Sequence, residues 1–554
     1  MSQRRRSRAA WGIAFAICGI ASGASPLVAQ RAPVAGTVYQ PGIDALDYDI
    51  HLDLPDTGAF IKGDVTVTLR RARAVHALRL DLVRTMTVRS ATVNGVDAHV
   101  SRGRGDLHVA FPESAGDTLR VRVRYDGVVT DGLIVQHDSA GHWTWFGDNW
   151  PDRARNWLPT VDHPSDKATV SFTVRAPSAR TVVANGTPLG ISQLSGPDAG
   201  RSETRWREAS PIATYLMVIG AGELARVTLD DSACVRSMVH RCVEQTVYAR
   251  REDAAFLPGP FAAAPAIVSY FESLVGPFPY EKLAHLQSAT RFGGMENASA
   301  IFYADRLFRE RTLSDGLIAH ETAHQWFGDA VTEGEWAHLW LSEGFATYFA
   351  ALWTRRAHGD AAFAREMADI RTRILADPVV ARRPVIDSME RNHLALLNTN
   401  SYQKGAYVLY MLHQALGDDA FFSALREYYR THRDGTAVTQ DLQHALETAS
   451  HRALGSFFDQ WLRRAGVPVL QVGWQYETAS GRVVMTVTQD GGVAPYELTV
   501  PVEVVRADGS LSHESIVVPA SVHGTVPLAG HYSVAPRTVR VDPDSVVLGR
   551  VAVH

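Results

Sequence analysis

Apolar and polar residues alternate along the first part of the chain and the last, and change period between them. Tyr48, Ile50, Leu52 and Leu54 alternate with polar neighbours, as do Val65, Val67 and Leu69, a period of two that predicts half-buried strands. From about residue 234 the period becomes helical. Amphipathic stretches run over Phe261–Val275, Leu313–Gly328, Ala337–His358 and Tyr402–Leu416, with Gly417 supplying a stop. After Gly466-Val467-Pro468 the alternation returns: Tyr496, Leu498, Val500, Val502 and Val504 share one face, and Val539 and Val541 open a late strand. The pattern predicts a multidomain α+β protein with a β domain over residues 31–233, an α-rich domain over 234–465 and a second β domain over 466–554. A chain of 554 residues is long enough for three cores.

The first thirty residues follow neither pattern. Arg4, Arg5, Arg6 and Arg8 precede an uncharged apolar run from Ala9 to about Ala24, and small residues lead to Ala29. That order predicts a signal peptide over 1–30 and an exported protein, periplasmic or secreted, with no membrane span once the leader is removed. The formal charge is −4, and it becomes −8 when residues 1–30, with four arginines and no acid, are taken away. Neither value suits a protein that binds nucleic acid by neutralising phosphates. Export also changes how the cysteines read. Cys234 and Cys242 are spaced for a short loop, and an oxidising compartment favours a disulfide between them over two buried thiols.

The chemistry lies in the helical zone. His320-Glu321-Thr322-Ala323-His324 places two histidines four apart, on one helix face, where both imidazoles can reach one metal ion. Glu321 lies beside that face, placed to take a proton from water. With eighteen residues between it and His324, Glu343 in Trp340-Leu341-Ser342-Glu343-Gly344 is offered as a third ligand from a second helix. Two nitrogens and a carboxylate, with no thiolate, suit one catalytic zinc with an open position, whose bound water would have a pKa near about 7.

With its spacer of eighteen residues and the run W-L-S-E-G-F-A, this motif resembles the gluzincin metallopeptidases, in particular the aminopeptidase N and leukotriene-hydrolase family. Gly293-Gly294-Met295-Glu296-Asn297 is similar to that family's G-x-M-E-N segment and Tyr402-Gln403-Lys404-Gly405 to its Y-x-K-G segment. Ala154-Arg155-Asn156-Trp157-Leu158-Pro159 and Asp162-His163-Pro164 extend the likeness into the first β zone. The resemblance implies an N-terminal β-sandwich-like domain, a thermolysin-like catalytic domain and a C-terminal β-sandwich. It implies zinc held by His320, His324 and Glu343, water activated by Glu321, and an oxyanion hydrogen bond from Tyr402. Glu296 would hold the free N-terminus of a peptide substrate, and Gly293 and Gly294 would let its backbone come close.

The resemblance has gaps. Thr160 stands where many relatives have a cysteine. Where relatives carry a second amine-binding Glu or Gln, the chain reads Asp148-Asn149-Trp150, with Trp150 at the aligned position and Asp148 or Asn149 as candidate substitutes. The large helical domain that covers the cleft in longer relatives has no counterpart in this sequence, which leaves an expectation of a more open cleft. The expected function is an exported zinc aminopeptidase. A zinc endopeptidase would share the metal but not need Glu296, a lipid-epoxide hydrolase would belong to the leukotriene-hydrolase branch, and a silent peptide-binding or scaffold protein would be expected to lose the ligands or Glu321.

Overall fold

The structure, a computed structural model, describes residues 39–112, 116–229 and 242–554. The expected leader and Cys234 lie outside them. Cys242 is disulfide-bonded. Among the described residues no helix is long and apolar enough to cross a membrane.

The β–α–β succession predicted from periodicity is present. In the first zone, strand Ile43–Asp53 pairs in parallel with Lys167–Pro177 and antiparallel with Phe60–Arg71, at the centre of an eight-stranded sheet. Tyr48, Ile50, Leu52, Val65, Val67 and Leu69 are all buried, as their alternation requires. A four-stranded sheet, which includes Trp143–Gly147 and Ile219–Gly222, and a three-stranded sheet complete the zone. At the other end, a four-stranded sheet around Val469–Glu477 and a three-stranded sheet around Leu498–Val505 form the C-terminal β region, with Leu498, Val500, Val502 and Val504 buried.

The middle zone is built on a five-stranded mixed sheet in the order Leu224–Thr228, Glu244–Arg250, Lys282–Ser288, Ala300–Ala304, Gly294–Met295. Its first strand precedes residue 234 in the chain, and its last, Gly294–Met295, is an edge. Three helices stand beside it: the motif helix Asp315–His324, the ligand helix Trp340–His358 and the tyrosine helix Gly405–His432. Gly417, with φ +78°, breaks the tyrosine helix as expected, and the chain resumes helical geometry afterwards. The motif and ligand helices depart from the amphipathic expectation. Every residue from Ile318 to His324 and from Trp340 to Trp353 is buried, because neighbouring elements pack on all sides of them. Gly344 and Gly405 let the ligand and tyrosine helices touch through their backbones: a Cβ on Gly344 would lie 3.0 Å from Gly405 Cα.

Candidate active site

Ser314 caps the motif helix by accepting a hydrogen bond from Leu317 N at 3.2 Å, and one turn separates His320 from His324 near its end. Their Nε2 atoms are 3.2 Å apart, and each lies 3.4 Å from Glu343 Oε2. Zinc–nitrogen and zinc–oxygen distances of about 2.0–2.1 Å put tetrahedral ligands about 3.3–3.4 Å from one another, so the three atoms fit three corners around one zinc ion. Two further features fit. Glu343 Oε2 is buried and makes no hydrogen bond. His324 Nδ1 lies 3.2 Å from Phe327 O, which can only accept, and so carries the ring proton and leaves the Nε2 lone pair for a metal. Ser342 Oγ, 2.9 Å from the same nitrogen, steadies the ring. Gly328, at φ +119°, makes that contact possible, because a Cβ there would lie 2.4 Å from Ser342 Oγ.

Around this triangle stand the other expected residues. Donor atoms of Glu296, Glu321 and His324 all lie within 4.8 Å of one another. Burial drives the Glu321 carboxyl well above the ordinary range, with His324 opposing and Glu296 and Glu343 adding to the shift. Burial raises Glu296 too, against the pull of His324. Three carboxylates crowded around two imidazoles call for a cation. Tyr402 OH donates to Glu343 Oε1 at 2.7 Å, so a phenol reaches the edge of the metal site through the ligand's second oxygen. Gly294 leaves space that Glu321 fills: a Cβ on it would lie 2.1 Å from Glu321 Oε1. At Gly293 a Cβ would meet only Arg306 Nη2, 4.0 Å away, and its carbonyl accepts from Ala304 N.

The neighbourhood of the second amine anchor is occupied. Asp148 is fully buried and accepts from Arg153 Nη2 at 3.0 Å and Thr290 Oγ1 at 3.1 Å. Asn149, equally buried, accepts from Trp157 Nε1 and donates to Met217 O. Trp150 packs edge-on against Phe292 and Trp336, so an aromatic wall stands beside the loop that enters Gly293. Thr160 is a buried packing residue.

Sequence reasoning missed several supports. Gln325, directly after His324, donates to Glu296 O at 2.9 Å and to Asp329 Oδ2 at 2.8 Å, and accepts from Ser299 N at 2.8 Å. It therefore fixes the Glu296 loop against the motif helix. The only signal for it was a polar amide in a run otherwise bound for the interior. Glu333, with both carboxylate oxygens buried and unpartnered, is pushed by burial to about 8, and no pattern announced it.

The chain matches the Peptidase family M1 domain over residues 262–461 and the Peptidase M1 N-terminal domain over residues 44–216. It is 28% identical over 457 residues to aminopeptidase N of Streptomyces lividans, covering 77% of this chain and 51% of that protein. To the tricorn protease-interacting factor F2 of Thermoplasma acidophilum it is 26% identical over 530 residues, covering 89% and 63%. The chain thus spans about half to two thirds of the length of these two relatives. A mutant M1 zinc metallopeptidase from Deinococcus radiodurans, solved with the substrate Tyr-Ser-Ala, superposes with a TM-score of 0.67 at 26% identity, covering 76% of this chain and 94% of that one. The two matched domains, in this order and around this donor set, place the chain in peptidase family M1, with zinc as its cofactor.

Proposed function

We propose that the protein is an exported aminopeptidase that removes N-terminal residues from peptides. One observation carries the position of the cut: the Glu296 carboxylate stands within 4.8 Å of both Glu321 and His324. A free N-terminus is an ammonium, and a carboxylate this close to the reacting centre holds it about one residue from the scissile carbonyl by charge-assisted hydrogen bonds. His320, His324 and Glu343 would hold the zinc, which would supply Lewis-acid polarisation of the carbonyl and a more acidic water. Glu321 takes the proton of the attacking water on its carboxylate and passes it to the leaving amine. Tyr402 turns its hydroxyl from Glu343 to the carbonyl oxygen as that atom gains charge. The edge strand Gly294–Met295, unpaired on one side, offers its backbone to an extended peptide. The filled surroundings of Asp148 and Asn149 leave Glu296 to do most of the amine recognition. Export is supported by the leader's composition and by the disulfide at Cys242.

The test is a panel of peptides with free and N-acetylated termini, run with and without chelator. Free-amine peptides are cleaved at the first bond, acetylated ones poorly, and chelator stops both. Glu321→Gln keeps zinc and loses most turnover. Glu296→Ala lowers kcat/KM on free-amine peptides by at least about tenfold and changes acetylated ones little. Internal cleavage of acetylated peptides by the parent would replace this reading with the endopeptidase one, and metal-loaded protein inert on the whole panel would favour a silent peptide-binding protein.

A further inference from the structure

Lys404 follows Tyr402 by two residues in the π-helical turn Asn400–Lys404 and is fully buried. Its Nζ donates to Gly466 O at 3.0 Å and, among the described residues, reaches no carboxylate. A buried ammonium held by a carbonyl alone is an expensive way to fill space, since an apolar side chain would fill it without desolvating a charge. Burial pulls this group down to about 7. Gly466 is the first residue of the C-terminal β zone and a node of its seam. Its N–H donates to Val380 O at 2.7 Å, and its carbonyl also accepts from Tyr496 OH at 3.4 Å, a side chain of the C-terminal region. Of the buried polar side chains of the turn, two are tied elsewhere: Asn400 Nδ2 donates to Arg383 O and Ser401 Oγ to Leu396 O, both within the catalytic domain. Lys404 is the one of them that joins the turn to Gly466.

We infer that Lys404 is a positioning residue, which anchors the turn bearing Tyr402 to Gly466 and so holds the phenol hydroxyl at the metal site. The seat of the C-terminal domain then becomes part of the catalytic geometry, although none of the expected site residues comes from that domain. This rests on the role proposed for Tyr402. The Tyr402 hydroxyl sits 2.7 Å from Glu343 Oε1, and a shift of the turn by a fraction of an ångström would spoil a hydrogen bond needed only as charge develops. Substrate and metal are held by other segments, so the inference assigns Lys404 an effect on kcat rather than on KM or zinc content.

The experiment is a double-mutant cycle with the zinc-loaded full-length protein on a free-amine peptide. Tyr402→Phe alone lowers kcat by about 10²–10³. Lys404→Met keeps stoichiometric zinc, leaves KM within about twofold and lowers kcat by at least about tenfold, whereas in the Tyr402→Phe background it costs less than about twofold. A residue that merely supports the fold would lower kcat by the same factor in both backgrounds, and that result overturns the inference. So does an unchanged kcat in Lys404→Met beside a slow Tyr402→Phe, which leaves the function proposed for the site standing. If Tyr402→Phe is itself as fast as the parent, the role of Tyr402 falls and the inference with it. Should Lys404→Met fail to fold, Lys404→Gln, shorter but still a donor, is read by the same cycle and judged by the same criteria.

Discussion

The catalytic domain is held from two sides, and the two seams touch it in different places. On the N-terminal side the contacts fall on segments that carry the metal site. Lys167 Nζ donates to Asp329 O, Ala330 O and Gly435 O at 2.8, 2.9 and 3.0 Å, and Asp329 N in turn donates to His324 O. Tyr215 OH donates to Gly328 O, and Asn185 Nδ2 and Gly186 N reach Ala298 O and Ser299 Oγ at the end of the Glu296 loop. The C-terminal seam falls on other segments. Tyr407 bonds Ser545 O, Arg371 bonds Gly549 O, Arg550 bonds Leu375 O, and Gln460 exchanges two hydrogen bonds with Glu497. Of these hydrogen bonds across the C-terminal seam, only Lys404–Gly466 comes within two residues of a site residue. One β domain therefore braces the segments that carry the metal donors and Glu296, and the other meets the turn that carries Tyr402.

Breaking the N-terminal seam should have the largest effect. Lys167→Met removes three hydrogen bonds from a half-buried cation, although Asp329 O keeps Thr332 Oγ1 and Ala330 O keeps Asp434 N as donors. The expected loss is about 2–3 kcal/mol of unfolding free energy in denaturant melts. Zinc affinity should fall at least about tenfold in competition with a chelator, because the turn after His324 loses its support. A variant that binds zinc as the parent does would mean that the N-terminal domain stabilises the fold without shaping the metal site.

The next effect tests the contact between the two seams. Gly344→Ala puts a methyl group 3.0 Å from the Gly405 backbone, one residue from Glu343 and three from Tyr402. The two helices must part, at a cost of about 1–2 kcal/mol. Glu343 and Tyr402 should separate with them, and kcat should fall at least about tenfold. Unchanged kcat with reduced stability would show that the Glu343–Tyr402 distance tolerates such movement.

What could be read beforehand follows from which interactions are local in sequence. A helix puts residues four apart on one face, so His320 and His324 were legible together, and a short spacer to an acidic residue on another helical pattern was enough for Glu343. Alternation exposed the β zones for the same reason. Tyr402 and Glu296 were reachable only through the family resemblance, because each stands far in sequence from the histidines it meets. Lys167, Gln325 and Lys404 were not reachable as supports. Each is a polar side chain whose partners include backbone carbonyls or amides in another segment, and no periodicity marks those. The sheet membership of Leu224–Thr228 was hidden likewise, since pairing is decided by a partner strand and not by the strand's own pattern.

The smallest expected effect lies on the C-terminal seam away from the turn. Tyr407 is buried and its hydroxyl bonds Ser545 O, five residues along the chain from Tyr402 but on the contact with the C-terminal region. Tyr407→Phe keeps the ring and removes that one hydrogen bond, leaving a carbonyl without its phenol donor. The cost should be about 1 kcal/mol of stability, the usual size for one neutral hydrogen bond. Zinc content, KM and kcat should all stay within about twofold of the parent, because the Tyr407 hydroxyl bonds Ser545 O and neither Glu343 nor the Asn400–Lys404 turn. Melting curves and steady-state kinetics on the same preparation check both halves. If kcat instead falls as far as in Lys404→Met, the whole C-terminal seam is coupled to the phenol, and Lys404 is one strand of a broader attachment and not its single tether.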